Sequence, residues 1–489
     1  MAHTADLRMT RRRLLAGGGS ALAGLAALGS TGLLLRGGGA FAASAQAAAA
    51  PTFFSRPDLR IPALRVTTSR PGIAPGLVML APYNAPLPAQ AGALIVDNAG
   101  NPVWEQPLNR LVTSDFRVQT YRGQQALTWW QGVITLGHGV GHYVIADSSY
   151  QPLAHVNAGD GHQGDLHEFL ITDRGTALLT SYTLSERDLR AVGGSAHGTI
   201  QDAMFQEVDI RSGRVLFEWR SLNHIPIEDS YWPVGGADWD YVHLNSIGVD
   251  ADQNLLVSSR NTHTIYKLDR TSGAIIWRLG GKHSDFAIDP AAAFAWQHDA
   301  RRQPDGTITV FDNGTSGASR ALVLNVDETA RRVSLKRAYT RPSATFANSQ
   351  GNVQVLPNGN VLVGWGAQPY VSEFSPAGEL LFDARLGEQY ISYRAYRMQW
   401  DSDGSGTPAV AARRAAGQTT AYVSWNGDTS VTHWTPLVGT TAGKLTALRA
   451  VARTGFETAL RIPGGHKRLR VRGTDAAGRP VTTSAVLSL

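Results

Sequence analysis

Three histidines occupy equivalent places in segments far apart along the chain: Asp165-Leu166-His167-Glu168-Phe169, Tyr241-Val242-His243-Leu244-Asn245 and Trp296-Gln297-His298-Asp299-Ala300. An imidazole can serve as nucleophile, as acid or base near neutral pH, or as metal ligand. Arg260 directly follows the apolar run Leu255–Ser259, just after the second segment. Its planar fork of donors suits a tetrahedral anion. A fourth segment of the same kind, Asn348-Ser349-Gln350-Gly351-Asn352, offers amides in place of an imidazole. Strand alternation puts Asp165 on one face with His167, Tyr241 and Asn245 with His243, and Trp296 with His298. The pocket expected from these residues holds three imidazoles, amide donors from Asn245 and Gln350 and aromatic walls from Tyr241 and Trp296, with no cluster of carboxylates. Three histidines also make a zinc ligand set. Convergence from separate hairpins spaces the rings apart, and an arginine repels a cation, so an anion site is favoured over a metal. A single histidine in a strand is ordinarily a hydrogen-bonded core or rim residue. Three in matching register are what point to chemistry. The run Gly137-His138-Gly139-Val140-Gly141-His142 reads as a strand-connecting turn whose glycines take positive φ. Trp129-Trp130 reads as packed core, with Trp129 a further candidate for the pocket wall.

The elements that must position these residues are hairpins. Gly175 lies eight residues after His167, Gly306 eight after His298, Gln253 eight after Asn245, and Gly359 eight after Gly351. Each marks a turn between short apolar runs. From 61 to 400 such runs alternate with Gly, Asn and Asp turns and no long helical period interrupts them, which predicts an all-β fold. A repeat offset by 60 residues relates Phe205-Gln-Glu-Val-Asp209-Ile-Arg-Ser-Gly213 to Ile265-Tyr-Lys-Leu-Asp269-Arg-Thr-Ser-Gly273. An inner hairpin precedes each outer one, which makes a four-stranded blade. About 340 residues at about 55–60 per blade give a β-propeller of about six blades. A ring of blades would bring the three histidines to one channel mouth. After Asp401–Pro408, which reads as a linker, the strand-borne Trp425 and about seven short strands predict a small immunoglobulin- or fibronectin-III-like β-sandwich over 408–489. No chemistry-bearing constellation appears there, and it reads as a stabilising or contact module.

Length and composition bound the rest. A chain of 489 residues with 43% hydrophobic and 17% charged residues supports more than one folded domain. The net charge of +6 misleads, because residues 1–50 hold five arginines and one aspartate and leave only +2 for the remainder. That excludes a nucleic-acid footprint. Thr10-Arg11-Arg12-Arg13-Leu14-Leu15-Ala16, with the Gly/Ala/Leu stretch after it, reads as a twin-arginine export signal over 1–45, followed by a Pro/Ala linker over 46–60. Arg36 interrupts the apolar run and disfavours a stable membrane span. The expected location is extracellular, cell-wall-associated or periplasmic. Cysteine is absent, so stability rests on packing without disulfides.

Several of these motifs, taken in order, resemble the bacterial arylsulfotransferases, in particular the arylsulfotransferase-like branch. They are Thr128-Trp-Trp-Gln-Gly132, Asp165-Leu-His-Glu-Phe169, His243-Leu-Asn-Ser-Ile247, Ser258-Ser-Arg260-Asn, Trp277-Arg-Leu-Gly-Gly281, Trp296-Gln-His-Asp-Ala300 and Ser349-Gln-Gly-Asn352. The similarity runs from about Pro75 to Arg385. It implies a six-bladed propeller and transfer of a sulfuryl group from a small aromatic sulfate donor to a phenolic acceptor through a sulfated histidine, with no nucleotide sulfate donor and no cofactor. It matches His298 to the histidine that is sulfated, His167 and His243 to two further channel histidines, and Arg260 to the arginine that holds the sulfuryl oxygens. The chain departs from the better-known enzymes in lacking their disulfide cysteines, in its shorter blades and in its C-terminal addition. Two readings of another class remain open: a non-catalytic propeller binding an anionic or glycan ligand, which needs no nucleophile, and a polysaccharide lyase using His, Arg and Tyr.

Overall fold

Short β-branched and aromatic runs bounded by turn residues become strands throughout the computed structural model, which describes residues 51–83, 91–108, 111–387 and 390–489. The expected twin-arginine signal, with Arg11, Arg12 and Arg13, lies outside the described residues, as do residues 46–50 of the expected linker. The fold is all-β, with only four short 3-10 turns among the described residues. Among the described residues no helix is long and apolar enough to cross a membrane.

Residues 64–398 form six sheets of four or five strands, antiparallel but for one short added strand. The first joins Leu77–Tyr83, Ala91–Val96 and Pro102–Leu108 to the late strand Ile391–Met398, which pairs with Leu77–Tyr83. The second runs from Val112–Tyr121 to Pro152–Val156, the third from Phe169–Ile171 to Val215–Arg220, and the fourth from Leu244–Val249 to Ile275–Gly280. The fifth begins at His298–Arg302 and ends at Arg332–Tyr339, where Ala287–Ile288 adds in parallel. The sixth runs from Asn352–Val355 to Leu380–Leu386, onto which the early strand Leu64–Ser69 adds.

Each sheet buries both faces against its neighbours. Leu178, Phe205 and Trp219 of the third sheet share a core with Ile247, Val257 and Tyr266 of the fourth, and the same arrangement recurs between every successive pair, including the sixth and the first. Hydrogen bonds between the leading strands follow the same circuit. Asn245 Nδ2 of the fourth sheet donates to Gln297 O beside the fifth, Val353 N–H of the sixth to Asp299, Asn352 Nδ2 to Ala395 O of the first, Arg394 to Asp115 of the second, Arg117 to Phe169 O of the third, and Ile247 N–H back to Glu168.

The turn spacing is realised physically. Gly175, Gly306 and Gly359 take φ of 72°, 84° and 84°, and Gln253 fills the equivalent place with φ 70°. In the 60-residue repeat, Asp209 Oδ1 accepts from Ser212 N–H and Oγ–H, and Asp269 Oδ1 does the same from Ser272, so an aspartate clamps each Ser-Gly turn.

The C-terminal residues form two further sheets, one from Ala409–Ala415, Gln418–Ser424 and Glu457–Ile462, the other centred on His433–Thr441 and Arg468–Thr474. Val423 and Leu460 of one share a core with Trp434, Leu469 and Val471 of the other. This part is fixed to the first two sheets: Tyr150 Oη donates to Gly427 O at 2.7 Å, and Asn426 bonds both backbone groups of Glu105. Part of the segment expected as a linker is also anchored, since Ser55 donates to Glu457 through both its N–H and its hydroxyl.

Candidate active site

His298 opens the leading strand of the fifth sheet and is wholly buried. Its Nδ1 lies 2.7 Å from Asn313 Oδ1. Asn313 Nδ2 donates to Ala347 O at 2.7 Å and Gln350 O at 3.0 Å, which fixes the amide so that its oxygen faces the ring. Nδ1 must therefore carry the proton, and the lone pair falls on Nε2. Gln350 N–H donates to that lone pair at 3.1 Å. Burial, reinforced by Arg260 and His243, holds the His298 pKa well below the ordinary imidazole value, so the ring is neutral at physiological pH.

The other two expected histidines stand beside it. The His243 ring is 6.5 Å from that of His298 and 4.7 Å from that of His167, edge-on to both. Each is oriented by a carboxylate. Asp165 Oδ2 lies 2.5 Å from His167 Nδ1, and Asp240 Oδ2 lies 2.5 Å from His243 Nδ1. Asp165 also accepts from Gly139 N–H, His167 N–H and Thr180 Oγ–H. Against its burial, His167 and these donors hold its pKa at about 2. Burial outweighs Asp240 at His243 and lowers its pKa to about 4.

Arg260 follows the second strand of the fourth sheet, and its backbone N–H donates to His243 O, so the fold ties the two positions together. The guanidinium lies 4.8 Å from the Trp296 ring and 5.5 Å from the Trp232 ring. Nη1 donates to Asn261 Oδ1 and Nη2 to Asn348 O, while Nε is buried without a partner. Burial depresses its pKa to about 10, which leaves it a cation at neutral pH. Arg260 and His298 thus contact one turn, through Asn348 O and Gln350 N–H.

Backbone strain gathers here. His243, His263, Trp296, Asp299 and Gln350 all take φ between 52° and 65°. Each such residue costs about 1 kcal/mol or more, a price met only where the surroundings fix the conformation.

Some expected positions lie elsewhere. Tyr241 packs in the core with Phe205, Trp219 and Trp239, and its hydroxyl donates to Ile225 O. The left-handed residue at His243 breaks the strand alternation that would have put Tyr241 on the same face. Asn245 is fully buried and braces the fourth sheet against the fifth, donating to Gln297 O and accepting from Asp299 N–H. Gln350 meets His298 through its backbone N–H. Trp129 lies in the core between the first two sheets.

Other groups were not foreseen. His138 belongs to the run whose sequence predicts a strand-connecting turn. Only Gly137 of its glycines takes positive φ, and His138 begins the strand His138–Ala146 with its ring 5.1 Å from His243 and 6.1 Å from His167. Its Nε2 lies 3.1 Å from Asp240 Oδ2. His263 stacks on Tyr231 at 4.1 Å and meets Trp296 edge-on at 4.3 Å. Burial, then Arg260 and Lys282, lower its pKa to about 4.

The expected absence of a carboxylate cluster is also corrected. Directly next to His167 and His298, the residues Glu168 and Asp299 join Asp115 in a buried network with Arg117, Arg301 and Arg394. Arg394 reaches Asp115 at 2.8 Å, Glu168 at 3.3 Å and Asp299 at 3.4 Å; Arg117 and Arg301 reach Glu168 at 2.6 and 2.5 Å. Three acids and three arginines balance, so the network braces the leading strands without adding net charge.

Two donor sets, His138 with Asp165 and His167, and His138 with Asp240 and His243, have ligand atoms within 4.8 Å of one another. Both are metal-ligand types, but each carboxylate is already engaged by an imidazole N–H, the arrangement of oriented acid–base histidines.

A sequence profile of the arylsulfotransferase (ASST) family matches residues 117–387, the stretch that carries His138, His167, His243, Arg260 and His298. Among curated proteins nothing matches. Solved structures give distant likenesses. A protein of unknown function from Bacteroides caccae is 17% identical over 60% of this chain and 92% of that one, with a TM-score of 0.25. A protein from Lactobacillus plantarum is 12% identical over 79% and 99%, with a TM-score of 0.37. Virginiamycin B lyase from Staphylococcus aureus is 9% identical over 74% and 96%, with a TM-score of 0.32.

Proposed function

The chain belongs to the arylsulfotransferase (ASST) family, and on that premise we propose that it moves a sulfuryl group from an aryl sulfate ester to a phenol through a sulfohistidine formed on His298. The observation that carries this reading is the setting of His298: wholly buried, its Nδ1 bound to Asn313 Oδ1, and its Nε2 facing Gln350 N–H in the turn that Arg260 also contacts through Asn348 O.

Sulfuryl transfer, like phosphoryl transfer, spreads charge over peripheral oxygens and asks the protein for a nucleophile, an oxygen clamp and a proton shuttle. The His298 Nε2 lone pair attacks sulfur, and the bond from sulfur to the aryl oxygen breaks as the N–S bond forms. Arg260 holds the sulfuryl oxygens with a protonated histidine. Gln350 N–H, released from Nε2, is a further donor for one of them. The departing phenolate takes a proton from the His167 and His243 pair. In the second half the acceptor phenol returns a proton to that pair, its oxygen attacks sulfur, and the N–S electron pair goes back to Nε2. The order is ping-pong, and no nucleotide donor or other cofactor enters. Trp296 lies beside Arg260 as an aromatic wall for the aryl group.

We also read the closed circuit of six sheets as a six-bladed propeller and the two C-terminal sheets as a β-sandwich module, and the Arg11-Arg12-Arg13 motif supports export by the twin-arginine pathway. The propeller explains why residues from four distant segments meet: the leading strand of each sheet faces one axis.

A chromogenic aryl sulfate supplied with and without excess phenol tests the reaction. Phenol-dependent release of the chromophore, with the sulfate recovered on the phenol, is expected. Release independent of acceptor would indicate hydrolysis, and no release would favour a non-catalytic anion-binding propeller.

A further inference from the structure

Asp240 binds two imidazoles that reach it from distant parts of the chain. His243 follows it by three residues, whereas His138 lies 102 residues away at the turn end of a hairpin in the second sheet. One oxygen, Oδ2, serves both: it is 2.5 Å from His243 Nδ1 and 3.1 Å from His138 Nε2. The same hairpin closes over His243, since a Cβ on Gly137 would stand 3.9 Å from His243 Cε1. His138 is buried, and its Nδ1 has no partner. The groups facing it are Asp240, Asp165, His167, His243 and the Tyr182 ring at 4.1 Å, whose hydroxyl is taken up by Leu244 O.

A carboxylate beside a single histidine gives its whole charge to that ring and raises its affinity for a proton. Here the charge is divided. Burial opposes protonation of His138, yet the hydrogen bond and charge of Asp240, helped by Asp165, outweigh it and raise its pKa. His243, desolvated and beside two other imidazoles, is left neutral. The shared carboxylate stays ionised, far below the ordinary range, because both rings favour its charged form over the cost of burial.

We propose that His138 is a positioning residue for sulfuryl transfer that acts through Asp240: by taking part of that carboxylate's charge it keeps His243 neutral and able to accept the phenol proton. This rests on the reaction proposed above. In the step concerned the phenol O–H bond breaks, an N–H bond forms at His243 Nε2, and the resulting imidazolium pairs with Asp240. Without His138 all of the Asp240 charge falls on His243, which then binds a proton at higher pH and is a base over a narrower range.

The test compares wild type with H138N and H138Q, whose amides can still donate to Asp240 but carry no charge. Two readouts are taken: the pH profile of kcat/KM for the phenol, and the NMR titration of the His243 Cε1–H signal. The acid limb and the His243 titration are expected to move upward together by about one pH unit or more, and D240N is expected to move the titration down. Unmoved limbs and an unmoved His243 signal in folded H138N and H138Q would overturn the proposal. If wild type shows no phenol-dependent turnover, the reaction reading fails by itself. The NMR titration then still decides the coupling: a shifted His243 signal upholds it and an unshifted one overturns it.

Discussion

Asn313 Oδ1 stands 2.7 Å from His298 Nδ1, and this contact determines which nitrogen of the imidazole can attack. Because the Asn313 amide is itself fixed by Ala347 O and Gln350 O, it cannot rotate to offer a donor instead. N313A is therefore expected to cost about 10²-fold or more in kcat with little change in KM for the donor, through loss of the attacking tautomer. Steady-state kinetics with a chromogenic aryl sulfate measure it. Near-wild-type kcat would show that the tautomer is set by something else.

In the proposed reaction Arg260 acts on substrate and on His298 at once. R260K keeps a charge but loses the planar fork beside Trp232 and Trp296. Turnover should fall about 10²–10³-fold. In R260M the cation that helps to depress the His298 pKa is gone, so any residual activity should show its acid limb at higher pH than wild type. An unchanged limb would separate the arginine from the nucleophile.

The buried charge network sets a stability expectation. Arg394 is fully buried and pairs with Asp115, Glu168 and Asp299. R394M leaves three carboxylates facing two arginines, which should destabilise by about 3–5 kcal/mol in urea unfolding. A loss below about 1 kcal/mol would mean that the acids are satisfied without it.

Glu105, at the junction with the C-terminal sheets, gives a pH-dependent test. It is 2% exposed, its Oε2 has no partner, and burial lifts its carboxyl from 4.5 to about 7. For a carboxyl raised on folding, the unfolded chain gives up its proton first. The stability this group contributes is intact below 4.5 and is lost as pH rises through about 7. E105Q should accordingly stabilise at pH 8, by on the order of 2–3 kcal/mol at most, and change little at pH 4.5. Melting temperatures at the two pH values decide it, and a gain at pH 4.5 alone would reverse the sign.

Much of this was legible in the sequence. The eight-residue spacings to Gly175, Gly306 and Gly359 and the clamped turns at Asp209 and Asp269 are local chemistry, and local chemistry sets where hairpins turn. His167, His243 and His298 could be chosen because matching register repeats along the chain, and Arg260 because it directly follows the strand after His243. What escaped was decided by the third dimension or by strain. His138 stands in a glycine-rich hairpin end and joins the site only because that end reaches Asp240 across 102 residues of sequence and lies against His243. Asp115, Glu168 and Asp299 belong to segments too distant to look like a cluster. Tyr241 was misplaced because alternation presumes a regular strand, and His243 at φ 55° interrupts it. Asn245 was given to the substrate because a buried amide bracing two sheets and one facing a ligand have the same sequence signature.

The most direct test of the central claim is mass spectrometry of the protein incubated with an aryl sulfate and no acceptor. One SO3 group is expected on the peptide containing His298, removed by added phenol and absent in H298N, which should also lose turnover. Turnover by H298N, or a sulfated residue other than His298, would contradict it.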